Sequence, residues 1–319
     1  MSYEEEYLKF VDSKEPLSNL QNKDWSIYMG YGKTYPYLYD IPSSEREDFF
    51  DVRYGHDPIQ TLDIHYLKST KSKKRPVVFF IHGGGWNCED KSNTRYYALD
   101  WVNMGYTVVS INYRLAPHSQ HPCQIEDCAL ALKWVIDNIK KYRGDPNRIV
   151  GIGHSAGAHL LALLVCGKQW HEQFNINIKK LKCWIPVSGI FDFNMYDNYL
   201  NPMLGTLINE MLGEGNKDTC SVNMHITGKE PPCFILHGGD DWLVPRSNSI
   251  LLYDMLNKKG CGDVRLEIVK GYWHCNMMLG YDKPGHMPGQ LINAYLEKFI
   301  NHGLEEYQEQ ITDKKLVNI

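Results

Sequence analysis

The sequence predicts an α/β fold: a mostly parallel, eight-stranded sheet with an antiparallel start and helices on both faces. Three observations carry this. From about residue 48 onward, short Val/Ile/Phe-rich runs alternate with helical patterns. The runs are apolar throughout rather than every second residue, as in strands covered on both faces. One serine stands between glycines where such a strand hands over to a helix.

The strands are expected at Phe49–Tyr54, Thr61–Leu67, Val77–Ile81, Thr107–Ile111, Ile149–Ile152, Cys183–Val187, Cys233–Leu236 and Arg265–Val269. Gly55-His-Asp-Pro between the first two makes them a hairpin. Helices are expected at Thr94–Met104, Ile125–Lys141, from Ala158 onward, and at Ser247–Lys259, with a closing amphipathic helix over Gly289–Asn301. Residues 189–231 interrupt the rhythm, with a helical period only from about 202 to 212. A connection of that length usually carries function, so it is expected to form a pocket wall or lid. The domain organisation is therefore an N-terminal extension at 1–47, serving as a partial cap or as outer packing, one main domain at 48–303 containing the 189–231 insertion, and a polar tail at 304–319.

A chain of 319 residues can bury roughly three quarters of its unfolded surface, ample for one large domain. Net charge is −4 with the charges interspersed, so no nucleic-acid partner is implied. The basic stretch from Lys68 to Arg75 is expected to be a solvated loop. The N-terminus has neither a basic leader nor an apolar run, and the most apolar stretch, Ala158–Cys166, is about half a membrane span. Nine cysteines without paired metal-ligand spacing fit reduced thiols and a cytoplasmic location, with no metal, no organic cofactor and no transmembrane segment expected. Homo-oligomerisation is left open.

The chemistry converges on the ends of strands. In Gly-Ile-Gly-His-Ser-Ala-Gly at 151–157, Gly153 and Gly157 make room for a sharp strand-to-helix turn, which makes Ser155 a candidate nucleophile. A serine hydroxyl needs a base to take its proton and an acid to hold that base in one tautomer. His237-Gly-Gly-Asp-Asp follows the seventh strand and offers Asp240 and Asp241; Lys270-Gly-Tyr-Trp-His follows the eighth and offers His274, with His286 as the alternative base. After the third strand comes His82-Gly-Gly-Gly-Trp86, whose glycines can turn N–H groups toward a developing negative charge. Gly83, Gly84 and Ala156 are thus the expected oxyanion hole, each donor worth on the order of 3 kcal/mol in the transition state. Trp86, Tyr196, Tyr199, Met203, Leu207 and Trp242 are candidate pocket residues. His154 and His159 are expected to pack and hydrogen-bond, His82 to steady the glycine loop, Asp127 to tether a helix near the Tyr113–Pro117 turn, and Asp240 to shape its loop.

These segments resemble the alpha/beta-hydrolase superfamily, in particular the hormone-sensitive-lipase-like esterases and the arylformamidases. The resemblance runs over roughly residues 48–300 through His82-Gly-Gly-Gly-Trp86, Tyr113-Arg-Leu-Ala-Pro117, the elbow at 153–157, the acid motif at 237–245 and His274. It implies an alpha/beta-hydrolase fold, places the acid at Asp241 rather than Asp240, and implies a serine esterase acting on small acyl or aryl esters through an acyl-enzyme. Gly153-His-Ser-Ala-Gly-Ala-His-Leu160 looks like an arylformamidase elbow, which keeps N-formylkynurenine hydrolysis as the alternative. Peptide hydrolysis and a non-catalytic binding protein on the same fold are the lesser readings.

Overall fold

A computed structural model describes residues 44–68, 74–195, 202–278 and 285–298. Eight strands form one sheet: β1 (Arg46–Arg53), β2 (Thr61–Leu67), β3 (Arg75–Ile81), β4 (Thr107–Ile111), β5 (Gly144–His154), β6 (Leu181–Val187), β7 (Cys233–Gly238) and β8 (Val264–Val269), in the spatial order β1-β2-β4-β3-β5-β6-β7-β8. β1 with β2 and β2 with β4 are antiparallel; every other pair is parallel. The helices that bear on the site are α1 (Arg95–Asn103), α2 (Cys123–Asn138), α3 (Ala156–Cys166), α4 (Pro202–Leu212), α5 (Ser247–Lys258) and α6 (287–298).

Alternation along a strand divides the interior into two layers. On β3, Val77, Phe79 and Ile81 face one core with Ile149, Leu161, Leu132 and Val135, while Val78 and Phe80 face the other with Tyr97, Trp101, Ile292 and Leu296. β3 and β4 are buried at every position because each face has its own helical cover. α2 and α3 lie on the first side, and α1 and α6 on the second.

All eight expected strands are present; β2 and β4 have the expected bounds and the other six differ at one end or both. β1 begins three residues earlier than expected and carries an irregularity between Phe49 and Val52. β5 begins at Gly144, which pairs with Arg75 of β3; a register irregularity separates that pair from Val77–Ile149, and hydropathy does not mark the polar residues between them as strand. α2 ends at Asn138 and tightens into a 3-10 turn over Ile139–Tyr142, which Arg143 closes with a φ of 62°. One expectation needs correcting at its end: Arg75 is not part of a solvated loop but is 1 % exposed at the start of β3. Its guanidinium lies over the Tyr66 ring and donates to the Leu67 carbonyl, so the charge is buried against a π face and a backbone oxygen. The last two residues of the expected N-terminal extension belong to β1; its residues 1–43, the expected tail, and the middle of the basic stretch at 69–73 lie outside the described residues.

In the insertion, α4 packs through Leu204, Leu207, Ile208, Met211 and Leu212 onto the first core. It is also tied at its far end, where the Met211 carbonyl accepts from His121 N at 2.7 Å and Glu210 accepts from Asn87 Nδ2 at 2.8 Å. The helix is therefore docked beside the glycine loop that follows β3.

Candidate active site

Because β3, β5, β7 and β8 are parallel, the loops at their carboxyl ends emerge on one edge of the sheet. Ser155 caps β5 at φ 54° and ψ −120°, a conformation that costs a side-chain-bearing residue about 1–3 kcal/mol. Local contacts hold it there. Its N–H donates to the Val187 carbonyl at 2.8 Å, and its own carbonyl accepts from Ala158 N and His159 N in the first turn of α3. Both elbow glycines are sterically required, since a Cβ at 153 would collide with the Gly157 carbonyl and one at 157 with the Ile81 and His82 carbonyls.

The Ser155 hydroxyl donates to His274 Nε2 at 2.8 Å, and His274 Nδ1 donates to Asp241 Oδ2 at 2.8 Å. Asp241 is the better furnished of the two candidate acids: its side chain is 0 % exposed, and its other oxygen accepts from Leu243 N at 3.1 Å and Val244 N at 2.9 Å. Burial works to raise the Asp241 carboxyl, but the charge of His274 and the hydrogen bonds from His237 and His274 outweigh it and hold the acid well below the usual carboxylate range. Asp240 is exposed, and its N–H closes the loop onto the Tyr272 carbonyl. His286 is corrected as a base: its Nε2 donates to the Asn276 carbonyl and its Nδ1 accepts from Gly289 N, so it ties down the start of α6.

The glycine loop lies over the serine. A Cβ on Gly83 would stand 3.3 Å from the Ser155 Cβ. Gly84 and Gly85 have φ of 83° and 55°, which glycine adopts without strain. Tyr113 Oη donates to the Gly83 carbonyl at 2.8 Å and lies within 3.1 Å of the His82 carbonyl, while the His82 ring stacks on Tyr113 and its Nδ1 donates to the Gly83 carbonyl. With the carbonyls held away, the N–H groups of Gly83, Gly84 and Ala156 take no hydrogen bond among the described residues. The N–H of Ala156 also begins α3, where the helix dipole favours negative charge. The turn bearing Tyr113 is anchored in turn by Asp127, which accepts from Arg114 N at 2.8 Å, Arg114 Nη2 at 2.7 Å and Gln60 Nε2 at 2.7 Å.

The pocket candidates separate. Trp86 is 1 % exposed and donates from Nε1 to His159 Nδ1 at 3.1 Å, so the structure seats it in the core behind the glycine loop and not on an open wall. Leu207 presses on Gly85, whose Cβ would lie 2.7 Å from Leu207 Cδ2, and Met203 is half-buried on the same helix. Trp242 is 44 % exposed and stacks on Trp273 at 6.3 Å, flanking Asp241 and His274. Tyr196 and Tyr199 lie outside the described residues.

Three histidines act as buried supports. His154 Nε2 donates to the His274 carbonyl at 3.0 Å, joining the end of β5 to the loop after β8. His159 links Trp86 to the Cys220 carbonyl of the insertion. His237 lies behind the acid, its Nε2 3.2 Å from Asp241 Oδ2 and 2.9 Å from the Val244 carbonyl. Burial lowers His154 and His159 to about 3, so both are neutral imidazoles. For His237 the motif position was the only sequence signal. Among the described residues no cluster of histidine, cysteine and carboxylate side chains is arranged to hold a metal.

Fold and site together define an α/β-hydrolase, the serine, acid and histidine falling in that chain order at three strand ends. The chain belongs to the BD-FAE family, whose model matches residues 62–256. Relatives include a probable carboxylic ester hydrolase, LipM, of Mycobacterium tuberculosis, 31 % identical over 197 residues that cover 57 % of this chain and 45 % of that protein. Another is a probable isoprenylcysteine alpha-carbonyl methylesterase of Oryza sativa subsp. japonica, 27 % identical over 244 residues, covering 72 % of this chain and 57 % of that one. The chain spans about half the length of these curated relatives. Among solved structures, esterase B from Lactobacillus rhamnosis superposes with a TM-score of 0.75 at 20 % identity, covering 99 % of this chain and 100 % of that one, which is a likeness of fold.

Proposed function

We propose that this protein is a serine hydrolase that cleaves carboxylic esters of small acyl or aryl substrates through an acyl-enzyme. The observation that carries the reading is the unbroken relay from Ser155 Oγ to His274 Nε2 and from His274 Nδ1 to Asp241, each step 2.8 Å, beneath the N–H groups of Gly83, Gly84 and Ala156. Ser155 attacks the acyl carbonyl as His274 accepts its proton. The carbonyl oxygen becomes an anion facing the three N–H groups, the alcohol leaves with the proton from His274, and water repeats the sequence to release the acid. Asp241 keeps Nδ1 protonated throughout and stabilises the imidazolium.

α4, seated against Gly85, supports reading the insertion as a pocket wall within a single catalytic domain at 48–303. The relatives' names, an ester hydrolase and a methylesterase, support ester over formamide chemistry. The elbow at Gly153–Leu160 is the feature that favours N-formylkynurenine. A cytoplasmic setting is supported by all nine cysteines being free thiols.

The test is covalent capture with an organophosphonate followed by peptide mapping, together with turnover of p-nitrophenyl acetate, longer acyl esters, an acetylated sugar, a feruloyl ester and N-formylkynurenine. Phosphonate on Ser155, lost in Ser155→Ala together with ester turnover, is the expected result. Undiminished turnover in Ser155→Ala overturns the mechanism, and efficient turnover of the formamide alone overturns the substrate class.

A further inference from the structure

Glu89, five residues past Gly84 and outside the relay, is held against several preferences at once. Its φ of 71° lies in the left-handed region that disfavours residues with a Cβ. Its Oε1 is buried with no hydrogen-bond partner among the described residues, an arrangement that opposes folding. Side chains kept in such positions gather at functional sites.

The surroundings show what the carboxyl can act on. A Cβ on Gly84 would stand 2.9 Å from Glu89 Cγ, so the acid's arm lies against the backbone that presents the Gly84 N–H. The thiol of the adjacent Cys88 donates to the Gly84 carbonyl at 3.0 Å. The titratable groups that feel Glu89 are Cys88 itself, Tyr97 on α1, Tyr113 beyond β4, and Cys275 directly after His274. Burial pushes all four well above their ordinary values, so they are neutral at pH 7 and supply no positive charge. Glu210 of α4, which accepts from Asn87 Nδ2, also acts electrostatically on Cys88 and is itself an acid. The nearest cation in sequence, Lys91, is engaged by Asp51 at 2.7 Å and Asp63 at 3.4 Å; Asp90 accepts from Asn112 Nδ2 and Ser92 N.

We infer that Glu89 is a positioning residue of the acyl-transfer site: its carboxyl must be uncharged for the glycine-loop N–H groups to receive the oxyanion at full strength. The inference rests on the hydrolase reading and deepens it by adding a regulating group. An ionised Glu89 places an uncompensated negative charge against the loop where the substrate oxygen also turns negative, and at low dielectric that repulsion works directly against the donors. Neutral, the same group adds no net charge. Burial pushes the Glu89 carboxyl up to about 7, which makes the change of state fall near neutrality.

The experiment compares kcat/KM for p-nitrophenyl acetate, and the rate of phosphonate capture at Ser155, across pH 5–9 in wild type, Glu89→Gln and Glu89→Gly. The glycine variant suits the positive φ and separates charge from backbone strain. Taking the ratio of wild type to variant removes any pH dependence that all three share. With Glu89 changing state at about 7, the ratio to either variant is expected to fall about tenfold between pH 6 and pH 8. In parallel, a protonated-carboxyl infrared band absent from Glu89→Gln is expected to disappear over the same interval. A pH-independent ratio in folded protein overturns the inference while leaving the hydrolase reading intact, as does a Glu89 carboxyl already ionised at pH 5. Failure of the phosphonate to label Ser155 in the folded wild-type protein overturns the hydrolase reading and this inference with it.

Discussion

Replacing Asp241 by asparagine exchanges one oxygen for an NH2 group at nearly constant volume, and the structure dictates how the amide must settle. One carboxylate oxygen accepts from Leu243 N and Val244 N, and the other from His274 Nδ1. An asparagine has a single acceptor. If its oxygen stays with the two backbone donors, its NH2 faces His274 and forces Nδ1 to accept, which moves the ring proton to Nε2. Ser155 then meets a donor where it needs a base. If the amide flips, two backbone N–H groups that are buried with the 0 % exposed acid confront an NH2, at about 1–3 kcal/mol each. The first arrangement is cheaper, so the protein folds and the tautomer is wrong. The expected loss in kcat/KM is three to four powers of ten, about 4–5.5 kcal/mol of transition-state stabilisation. Steady-state turnover of p-nitrophenyl acetate beside a thermal melt provides the assay. A folded Asp241→Asn protein within tenfold of wild-type rate refutes the argument that this carboxylate sets the tautomer.

Other outcomes follow from contacts around the site. Gly157→Ala drives a methyl into the Ile81 and His82 carbonyls; a loss of about 3 kcal/mol or more in urea unfolding is expected, because backbone must move, and a wild-type midpoint would count against the close approach. Asp127→Ala strips Arg114 and Gln60 of a buried partner and is expected to cost about 3–5 kcal/mol, with activity falling in step as the Tyr113 turn loosens; unchanged stability would deny that the tether matters. Burial lowers His82 to about 4 and His154 and His159 to about 3. The unfolded chain takes up these protons near pH 6.5 and the folded chain does not, so stability is fully present above that pH and falls on acidification, at about 1.4 kcal/mol per pH unit for each ring. Urea midpoints that stay level from pH 7 to pH 5 would contradict this.

The features legible in the sequence are those whose physical cause is local. β3 and β4 could be read because both faces of each strand are buried and Val, Ile and Phe dominate the runs Val77–Ile81 and Thr107–Ile111. The elbow was readable because only glycine fits at 153 and 157 around a serine with positive φ. α4 was bounded by its own period at 202–212. Strand ends were less legible: β5 takes in polar Asp145, Asn147 and Arg148, which lie in the irregular stretch between the Arg75–Gly144 and Val77–Ile149 pairs and carry no hydropathy signal for a strand. Between Asp240 and Asp241 the residues alone left the acid open, and the resemblance selected one before any geometry did.

The covalent order of the chain thus determined the sheet, the turn that exposes Ser155, and the set of loops from which a base and an acid had to come. Tertiary structure alone decided which groups meet. Asp241 reaches His274 across 33 positions and His274 reaches Ser155 across 119; Trp86 turns inward to His159, and Glu89 comes to rest against Gly84 with its Oε1 unpartnered among the described residues. Propensity and periodicity act over a few residues, whereas these contacts depend on how parallel strands bring distant loops to one edge. The direction in which each side chain points along that edge is set by packing, and the sequence carries no nearest-neighbour signal for it.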